Sequence, residues 1–325
     1  MSVKISIDAM GGDFGPSVTM EAITRVLADN PDVTACVYGN LSEMQSCIDK
    51  NLSSSISSRI ELCHCESQID CHDKPSRVVR SKQDSSMALA LKSLNEGAVN
   101  ACVSAGNTGV LMALSLFVVG TLPGISRPAI CAEIPTATGS KLMLDLGANV
   151  DCTAEQLYQF AILGSLTANL TLDITSPRLR LLNVGSEAGK GNSLVQATAK
   201  ILEANPRLNY QGFIEGDAIL KGVADVIVCD GFSGNVALKA CEGVARHIYQ
   251  KLAEHTAALN EDLAAIKASI QPSLFNGAYL LGINGVVVKS HGGADIQGFA
   301  NALERAINAA RHQLPVALAP LLKQK

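Results

Sequence analysis

The stretch 103–110 carries residue types that suit the binding of an anion. It reads Val-Ser-Ala-Gly-Asn-Thr-Gly-Val, so small, hydroxylated and amide residues stand between an apolar run and the start of an apolar helix. Gly106 and Gly109 can take a positive φ and lack a Cβ, which lets backbone N–H groups close around a ligand. The same N–H groups would open the following helix, whose N-terminus favours negative charge. The anion is therefore expected to contact Ser104, Gly106, Thr108 and Gly109.

Loops of this composition follow an apolar strand and precede a helix at six places in the chain. They lie near residues 9–16, 104–109, 147–149, 185–192, 230–235 and 290–293. Strands that alternate with helices at this spacing predict a three-layer, doubly wound α/β fold with a mostly parallel sheet. In such a sheet the loops after the strands gather at the carboxyl edge, where ligands bind. We therefore expect the six loops to converge on one cleft of a single catalytic domain, residues 1–325, with a helical excursion near 245–275.

Composition and charge limit the classes of protein to which this chain can belong. The chain has 325 residues, of which 47% are apolar and 17% charged, and its formal net charge is −4. This favours a core-rich enzyme and argues against nucleic acid as the main partner, because disordered chains have little apolar surface and nucleic-acid-binding domains are basic. The chain starts directly with a strand pattern, so no targeting segment is expected, and the longest apolar run, 110–122, is too short to span a bilayer. A cytoplasmic location is predicted.

Eight of the ten cysteines fall into two groups. One group lies in apolar runs and is expected to be buried in a reducing compartment: Cys36, Cys102, Cys131, Cys229 and Cys241. The other group is Cys63, Cys65 and Cys71, which with His64 and His72 could form a metal cluster. Its spacing matches no C-x₂-C pattern, and an adjacent Cys-His pair is hard to wrap around a tetrahedral ion. A strand followed by a loop is therefore favoured, and no metal site is predicted.

Several familiar catalytic motifs are missing from the sequence. No G-x-S-x-G elbow occurs, which argues against a hydrolase of that type. Residues 185–190 imitate a P-loop, but only three residues separate the two glycines, and Gly191 stands where Ser or Thr should hold magnesium. No G-x-G-x-x-G follows a strand, so a dinucleotide in the usual register is not expected. The sequence thus predicts no cofactor.

Inorganic phosphate is a nucleophile that suits these loops. It is already an anion, so the protein must mainly hold it, orient it and stabilise the oxyanion that forms on the attacked carbonyl. Lys190 is the natural cation because its loop starts a helix, although a solvent-facing lysine in a glycine loop is the alternative. Asn107, Asn149 and Asn235 could donate to a carbonyl oxygen, although each could instead be a helix cap.

Three carboxylates, Asp8, Asp145 and Asp230, fall at or next to strand ends. Carboxylates beside a bound phosphate would repel it. They are therefore expected to orient amides and the lysine, or to accept hydrogen bonds from loop N–H groups, rather than to touch the anion. In this orienting role Asp230 completes the predicted catalytic set with Lys190, Asn107 and Asn235.

Three cations stand within six positions, at Arg77, Arg80 and Lys82. One interpretation is a solvated surface, which is the usual reason for a short run of charge. The other is a docking site for an acidic partner or for phosphates. The residues alone leave both interpretations open.

The motifs of the chain, taken in order, form a specific combination although each is weak alone. They are Asp8–Asp13, Asp84–Met87, Val103–Gly109, Arg127–Ala129, Leu144–Asn149, Asn183–Gly185 with Lys190–Gly191, Asp230–Asn235, Leu280–Gly282 and Ser290–Gly292. Over essentially the whole chain this combination resembles the bacterial phosphate acyltransferase family, also called acyl-acyl carrier protein:phosphate acyltransferase.

The resemblance implies transfer of a long acyl chain from acyl carrier protein to inorganic phosphate. The acyl phosphate would then feed a membrane glycerol-3-phosphate acyltransferase in phospholipid synthesis. It also implies a homodimer with an isopropylmalate-dehydrogenase-like fold that needs no nucleotide or metal. Since the carrier protein is acidic, the resemblance favours docking at the three cations. The remaining residues expected to bind substrate are Gly11, Gly12, Asp13, Asn149, Gly234 and His291.

Two segments depart from the family pattern. Members often carry a basic, leucine- and tryptophan-rich insertion suited to membrane contact, whereas Leu252–Ser273 is short and has no tryptophan. Peripheral membrane association is therefore left open beside the cytoplasmic prediction. The second departure is Asn276–Tyr279, where relatives often have Gly-Gly-Ala-Pro, and it is expected to alter a turn more than the chemistry.

The mechanism that follows is direct attack of bound phosphate on the thioester, without an acyl-enzyme. Lys190 and the Gly106–Gly109 nest would hold phosphate, and Asn235 or Asn107 would steady the oxyanion. Two alternatives remain: a short-chain phosphate acyltransferase that uses acyl-coenzyme A, and a non-catalytic regulator that binds phosphate or acyl carrier protein.

Overall fold

The computed structural model describes residues 2–48, 53–70, 72–254 and 271–322, together with residues 263, 266 and 268. Its backbone contacts divide the chain into two compact units. Unit 1 is Met1–Gly124 with Asn276–Lys325, and unit 2 is Ile125–Phe275. The prediction of a single catalytic domain stays a prediction.

Strands and helices alternate through most of the chain. In chain order the strands are β1 (Val3–Asp8), β2 (Val33–Gly39), β3 (Ile60–His64), β4 (Ala101–Ser104), β5 (Ala129–Thr136), β6 (Gly139–Leu144), β7 (Leu179–Leu182), β8 (Tyr210–Ile214), β9 (Val226–Val228), β10 (Ala278–Leu281) and β11 (Val286–Lys289). The α-helices are α1 (Pro16–Asp29), α2 (Leu41–Cys47), α3 (Ser54–Ser57), α4 (Pro75–Ser81), α5 (Ser86–Asn95), α6 (Thr108–Leu114), α7 (Ala154–Thr171), α8 (Ser193–Glu203), α9 (Gly231–Glu254), α10 (Ile296–Arg311) and α11 (Leu314–Leu322). A π-helical turn, Ser115–Val119, prolongs α6, and 3₁₀ turns form at Gly216–Lys221 and Pro272–Phe275.

In unit 1 the strand order is β3-β2-β1-β4-β11-β10, and only the pair β10–β11 is antiparallel. Both faces of this sheet are covered, because consecutive residues of β1 and β4 are buried. Ser6 faces α5, since its hydroxyl donates to the Ala90 carbonyl over 2.8 Å. Cys36, Cys102 and Val287 share that face and pack in one apolar cluster with α5 and α6. The alternate residues of the strands face the opposite side of the sheet.

In unit 2 the strand order is β5-β6-β9-β7-β8, with β5 and β6 forming an antiparallel pair and the others parallel. Helix α7 lies close to β6 and β9, and a Cβ at Gly164 would sit 2.7 Å from a Val226 methyl group. At the start of these strands Asp225 accepts hydrogen bonds from Lys141 and from Arg178, each over 2.8 Å. The described part of the unit therefore combines an apolar interior with a charge network around the buried Asp225.

The predicted fold class is confirmed in both units: mostly parallel strands flanked by helices. Several details differ from the sequence prediction. Strand β10 and helices α3, α4 and α11 were not predicted, and helix α9 begins at Gly231, inside the segment 230–235 that was predicted to be a loop. Of the helical excursion predicted near 245–275, residues 245–254, 263, 266 and 268 are helical, residues 272–275 form a 3₁₀ turn, and the other residues of 255–270 lie outside the described residues.

No helix in the described ranges is both long and apolar enough to cross a bilayer. Cys36, Cys102, Cys131 and Cys229 are buried as expected, whereas Cys241 is only partly buried. Each of the nine cysteines in the described part of the chain is a free thiol.

Candidate functional site

Three loops of unit 1 meet at the carboxyl ends of the neighbouring strands β1, β4 and β11. The Asp13 N–H donates to the Gly292 carbonyl over 2.8 Å, which joins the loops after β1 and β11. The Ser290 N–H donates to the Ser104 carbonyl over 2.9 Å, which joins the loops after β11 and β4. The sequence prediction that these loops converge is confirmed within this unit.

Glycine is required where these loops touch. A Cβ on Gly11 would lie 2.5 Å from the Gly106 nitrogen, and one on Gly12, whose φ is 87°, would lie 2.9 Å from the Gly292 carbonyl oxygen. A Cβ on Gly106 would lie 2.5 Å from the Met87 methyl group. Gly106 and Gly109 do not have a positive φ, so that part of the prediction was wrong. At Gly106 the absence of a Cβ serves close packing, and Gly109 lies in the first turn of α6.

Asp8 organises the floor of these loops from a fully buried position. Its carboxylate accepts hydrogen bonds from the hydroxyls of Ser86 (2.6 Å) and Ser104 (2.7 Å) and from the Met10 N–H (3.3 Å). The Ser104 hydroxyl in turn accepts the Gly106 N–H over 3.0 Å. Burial raises the pKa of Asp8, and the hydroxyl donors oppose that shift. The expectation that Asp8 binds loop donors is confirmed.

The first turn of α6 leaves two backbone donors for a ligand. Asn107 caps the helix, because its Oδ1 accepts the Val110 N–H over 3.1 Å. The Gly106 N–H is already occupied by Ser104. Within the described ranges, the N–H groups of Thr108 and Gly109 have no protein acceptor, as expected for the start of a helix. Both residues are exposed.

A cavity of about 710 Å³ opens beside this turn. Its wall includes the loops after β1, β4 and β11 and the segment 68–70, and it carries four ionisable side chains: Asp13, Asp70, Lys82 and Lys289. The remaining lining residues are Met10, Gly12, Gln68, Ile69, Ala105, Gly106, Asn107, Thr108 and Gly292. Backbone donors and two lysines in one cavity suit a small anion.

The predicted docking cations separate into two kinds. Arg77 and Arg80 lie exposed on α4. Lys82 instead lines the cavity, and its ammonium donates to the carboxylate of Asp73 (2.5 Å) and to the carbonyl of Gln68 (3.0 Å). The hydrogen bond from Lys82 holds the pKa of Asp73 below its usual value.

His291 is exposed at the end of the loop after β11. Its N–H donates to Oδ1 of the buried Asn276 over 2.7 Å, and its Nδ1 accepts the Gly293 N–H over 3.1 Å. The Asn276 amide also donates to the Ser290 hydroxyl over 2.9 Å and to the Gly298 carbonyl over 2.5 Å. Asn276 therefore holds this loop, which is more than the altered turn that the sequence predicted.

In unit 2, Asp145 lies fully buried behind the loop after β6. Its carboxylate accepts the N–H groups of Ile130 (2.9 Å), Ala148 (3.1 Å) and Asn149 (2.7 Å). The Asn149 side-chain amide donates to Asp145 over 2.9 Å and to the Pro128 carbonyl over 2.8 Å. Both amide hydrogens of Asn149 are thus engaged, which argues against donation from this amide to a carbonyl oxygen of substrate, while its place in the substrate site stays a prediction. Burial raises the pKa of Asp145 against the lowering effect of these donors.

Asp230 is the N-cap of the long helix α9. Its carboxylate accepts the backbone N–H and the hydroxyl of Ser233, both over 2.8 Å. Gly234, predicted to bind substrate, is buried where a Cβ would collide with the Asp145 carbonyl. Asn235 is exposed in the first turn of the helix and lies beside Gly147 of the loop after β6. Asp230 thus binds loop donors as expected.

Lys190 lies exposed on the loop that follows β7. Its carbonyl accepts the amides of Asn183 (3.1 Å) and Gln196, and its side chain runs beside Gly185. The helix after this loop begins with the cap Asn192, whose Oδ1 accepts the Val195 N–H over 2.9 Å. The loop is therefore anchored by side-chain amides, and the ammonium stays in solvent.

Thiols near these loops are not activated. Cys152 donates to the Asn149 carbonyl over 3.4 Å, and burial raises its pKa to about 11. Burial also raises the pKa of Cys229 well above its usual value. The structure offers no group of three or more His, Cys, Asp or Glu side chains for a metal among the residues it describes. Cys71, part of the metal alternative, lies outside the described residues.

The sequence matches a known family along almost its whole length. Residues 3–317 match the family model for fatty acid synthesis protein. The chain belongs to this family. A phosphate acyltransferase of Pseudomonas syringae pv. tomato is 46% identical over 324 residues, which cover 96% of this chain and 94% of that protein. A phosphate acyltransferase of Vibrio campbellii is 44% identical over 325 residues, which cover 97% of this chain and 95% of that protein.

Solved structures place this family member in a wider fold group. A phosphotransacetylase from Streptococcus pyogenes superposes with a TM-score of 0.66 at 19% identity, covering 95% of this chain and 94% of that chain. A branched-chain phosphotransacylase from Enterococcus faecalis superposes with a TM-score of 0.59 at 14% identity, covering 95% of this chain and 99% of that chain. A 4-hydroxythreonine-4-phosphate dehydrogenase from Burkholderia phymatum superposes with a TM-score of 0.54 at 12% identity, covering 95% of this chain and 98% of that chain. These likenesses show the fold, which acyltransferases and dehydrogenases share.

Two residues of the site escaped the sequence prediction, Lys289 and Asn276. Lys289 is the only charge in the strand that it ends, since it follows three valines directly before the Ser-His-Gly-Gly loop. That placement was a usable signal. The contacts of Asn276 lie 14 to 22 residues away in sequence, and no local pattern indicates them.

Proposed function

We propose that this chain transfers a long-chain acyl group from acyl carrier protein to inorganic phosphate, for use in phospholipid synthesis. The observation that carries the proposal is membership of the family, with phosphate acyltransferases 44–46% identical over nearly the whole chain. A cavity lined by backbone donors and two lysines supports phosphate as the acceptor.

The reaction needs no redox partner. An oxygen of phosphate attacks the thioester carbonyl carbon, and the C–S bond breaks as the carbonyl re-forms. The thiolate of the carrier leaves and takes up a proton, which gives acyl phosphate and free thiol. The protein must supply an anion site, an aligned thioester and donors for the transient oxyanion.

Phosphate is proposed to bind in the cavity of unit 1. The N–H group of Thr108, which lines the cavity, would donate to its oxygens together with that of Gly109 in the same turn, and the lack of a Cβ at Gly12 lets the loops after β1 and β11 pack together at the wall. Asp8 lies under the same loops but is enclosed by its own donors, so it does not face the anion. Asp13 and His291 keep their predicted roles as substrate contacts.

Lys190 and Asn235 keep their predicted catalytic roles in unit 2. Both side chains are exposed, as contact with a bulky acyl donor requires. Lys190 would contribute positive charge and Asn235 a donor for the oxyanion. Asp230 would hold Asn235 in place indirectly, because it caps the turn of α9 that carries Asn235.

Direct attack by phosphate is proposed in place of an acyl-enzyme. The buried hydroxyl of Ser104 is enclosed by Asp8 and Gly106. The raised pKa values of Cys152 and Cys229 keep both thiols protonated near neutral pH, which makes them poor nucleophiles. Phosphate itself is therefore the stronger candidate for the nucleophile that attacks the thioester.

Acyl carrier protein is proposed to dock at Arg77 and Arg80, which form an exposed basic surface on α4. Lys82 is better assigned to the cavity, because Asp73 already neutralises it. A homodimer, a cytoplasmic location and transient delivery to a membrane glycerol-3-phosphate acyltransferase complete the proposal.

The reaction is tested by mass spectrometry on the protein mixed with palmitoyl-acyl carrier protein and phosphate. The expected products are palmitoyl phosphate and free carrier thiol, with neither formed when phosphate is omitted. The protein incubated with the thioester alone should keep its own mass, and an acylated protein would refute direct attack.

Two other outcomes would overturn the proposal. Acetyl phosphate from acetyl-coenzyme A, without reaction of the palmitoyl carrier, would establish a short-chain phosphate acyltransferase. Binding of acyl carrier protein without turnover of either thioester would establish a regulator.

A further inference from the structure

We propose that Asn276 is a positioning residue of the unit 1 cavity, which holds the loop after β11 in the conformation that binds phosphate. This role rests on the proposed function for the identity of the anion. Asn276 does not itself line the cavity, so its effect passes through the residues that it holds. A buried amide outside the cavity would thus set the affinity for phosphate.

The side chain of Asn276 uses both of its amide hydrogens and its amide oxygen. The NH₂ group donates to the Ser290 hydroxyl over 2.9 Å and to the Gly298 carbonyl over 2.5 Å. The Oδ1 atom accepts the His291 N–H over 2.7 Å. Because a carbonyl can only accept and an N–H can only donate, these partners fix which way the amide points. The amide therefore joins the loop after β11 to the first turn of α10.

Helix α10 also fixes the backbone of Asn276. The guanidinium Nε of Arg305 donates to the Asn276 carbonyl over 2.9 Å. The next residue, Gly277, has a φ of 93°, and a Cβ there would lie 2.7 Å from the Arg305 Cδ and 2.9 Å from the Ala302 Cα. The amide thus has a defined position on α10, from which it can hold the loop.

The residues that Asn276 holds stand between two residues of the cavity wall. Lys289 and Gly292 both line the cavity. Ser290 and His291 are the two residues between them. A displacement of this pair would therefore move the wall on both sides of it, although neither residue of the pair lines the cavity itself.

The same loop aligns a second segment of the wall. The Gly292 carbonyl accepts the Asp13 N–H over 2.8 Å, so the loop after β1 would follow a shift of Gly292. A binding site for a small ligand requires its contact groups to be held within about 0.5 Å of their productive positions. Loss of the amide that holds the loop should therefore weaken phosphate binding without removing a phosphate contact.

The competing explanation is that Asn276 only stabilises the fold. Asn30 is a matched control, because it belongs to the same unit and is equally buried, 8% exposed against 7% for Asn276. Its NH₂ group donates to the Val26 carbonyl and to Glu304, and its Oδ1 accepts from Arg311, each over 3.0 Å. Asn30 lies before the start of β2, at the opposite edge of the sheet from the cavity.

The first experiment measures phosphate binding without acyl donor, from the rise of Tm with the concentration of inorganic phosphate. Without phosphate, Asn276→Ala and Asn30→Ala should lower the Tm to a similar extent, because each leaves buried partners unsatisfied. Only Asn276→Ala should also raise the phosphate Kd, by about fivefold or more. An unchanged Kd in Asn276→Ala, or an equal rise in Asn30→Ala, would overturn the proposal.

Steady-state kinetics separate positioning of the cavity wall from a general loss of structure. Asn276→Ala should raise the phosphate KM by about fivefold or more, while the KM for palmitoyl-acyl carrier protein stays within about twofold of the wild-type value. An equal rise in both KM values would favour the structural explanation and contradict ours.

The variant Ser290→Ala covers the case in which Asn276→Ala fails to fold. It removes one acceptor of the Asn276 amide, and alanine fits the fully buried position of this serine. The phosphate Kd should rise by about two- to fivefold, as expected for the loss of one hydrogen bond. Wild-type affinity in this variant would refute the role of the amide.

Two readouts keep the proposed function and the role of Asn276 apart. Formation of acyl phosphate by the wild-type protein tests the function, and the phosphate Kd of the variants tests the role. If no product forms but only Asn276→Ala binds phosphate more weakly, the function is refuted and the positioning role stands. If product forms and the wild type, Asn276→Ala and Asn30→Ala share one Kd, the function stands and the positioning role is refuted.

Discussion

Replacing Asp145 by asparagine should destabilise unit 2 although the side chain keeps its shape. The carboxylate accepts four hydrogen bonds and every donor is an N–H group: Oδ1 accepts from Ile130 and Ala148, and Oδ2 from the backbone and side chain of Asn149. The side chain is fully buried. An asparagine has one carbonyl oxygen, so whichever way it turns, its NH₂ group faces two of these donors.

The predicted loss of stability in Asp145→Asn comes from the N–H donors that are left without an acceptor. A buried hydrogen-bonding group that loses its partner costs about 1–3 kcal/mol, so two of them cost about 2–6 kcal/mol. The Asn149 amide cannot relieve the conflict by turning over, because its NH₂ group also donates to the Pro128 carbonyl over 2.8 Å. This range is a large share of the stability of an ordinary domain, about 5–15 kcal/mol.

Asp8→Asn is the comparison that tests the reasoning. Asp8 is as buried as Asp145, but two of its donors are the hydroxyls of Ser86 and Ser104. A hydroxyl can rotate and accept from the new NH₂ group, so this substitution should leave about one donor unsatisfied and cost about 1–3 kcal/mol. Asp151→Asn, on the exposed residue just after the same turn of unit 2, should change stability by less than about 0.5 kcal/mol.

Urea unfolding followed by circular dichroism gives the three free energies of unfolding. Hydrogen exchange with mass spectrometry should locate the effect of Asp145→Asn in peptides that contain Ile130 and Asn149, whose N–H groups lose protection first. A loss below about 1 kcal/mol, or a smaller loss than that of Asp8→Asn, would refute the argument from N–H donors.

Four further outcomes follow from the same contacts. Lys190→Ala should lower kcat by about 100-fold or more with an unchanged Tm, if Lys190 stabilises charge in the transition state; near-normal turnover would exclude that role. Replacing Arg77 and Arg80 by glutamine should raise the KM for acyl carrier protein at least about fivefold and leave the phosphate KM unchanged, and the effect should shrink at high salt. Gly11→Ala should reduce both Tm and activity, because the new Cβ meets backbone 2.5 Å away that cannot move independently. Burial alone would raise the pKa of Asp225, but hydrogen bonds from Arg178 and Lys141 outweigh burial and lower the pKa. The ionised Asp225 therefore stabilises the fold above its usual pKa of 3.8, and this stabilisation is lost as the pH falls below that value. Asp225→Asn should accordingly show a smaller fall of Tm in acid than the wild-type protein.

Strands with a clear pattern were predictable, and elements set by remote contacts were not. The strand pattern predicted at the start of the chain is confirmed as β1, Val3–Asp8, because apolar residues alternate along the whole strand. Strand β10 has four residues and is defined by antiparallel pairing with β11, which its own sequence does not specify. Helix α9 begins five residues earlier than predicted, since the cap from Asp230 outweighs the loop preference of a glycine-rich segment.

The candidate site shows the same division. Local sequence correctly predicted that the carboxylates at strand ends bind loop donors, and for Asn107 it left helix capping, which the structure shows, beside donation to a carbonyl oxygen. It could not predict that both hydrogens of the Asn149 amide are engaged, because one acceptor lies 21 residues earlier, at Pro128. Lys289 was missed although it follows three valines, and its contact with the Ala105 carbonyl, 184 residues away in sequence, is one that no local pattern indicates. Local patterns thus give the type of each loop, whereas the tertiary structure decides which donors remain for a ligand.

The carboxylates explain how loops rich in Asp can still accept phosphate. Asp8 in unit 1 and Asp145 in unit 2 are each surrounded by donors that belong to the loop that follows the aspartate or to a neighbouring strand or helix. A carboxylate whose lone pairs are filled in this way fixes the direction of the backbone and presents little negative charge to the opposite side of the loop. In the proposed reaction the positive charge then comes from the exposed Lys190 and from the lysines of the cavity wall, Lys82 and Lys289. If this division is correct, Asp8→Asn should weaken phosphate binding even though it removes a negative charge, because the lost orientation of the loop outweighs the reduced repulsion. Tighter phosphate binding by that variant would contradict it.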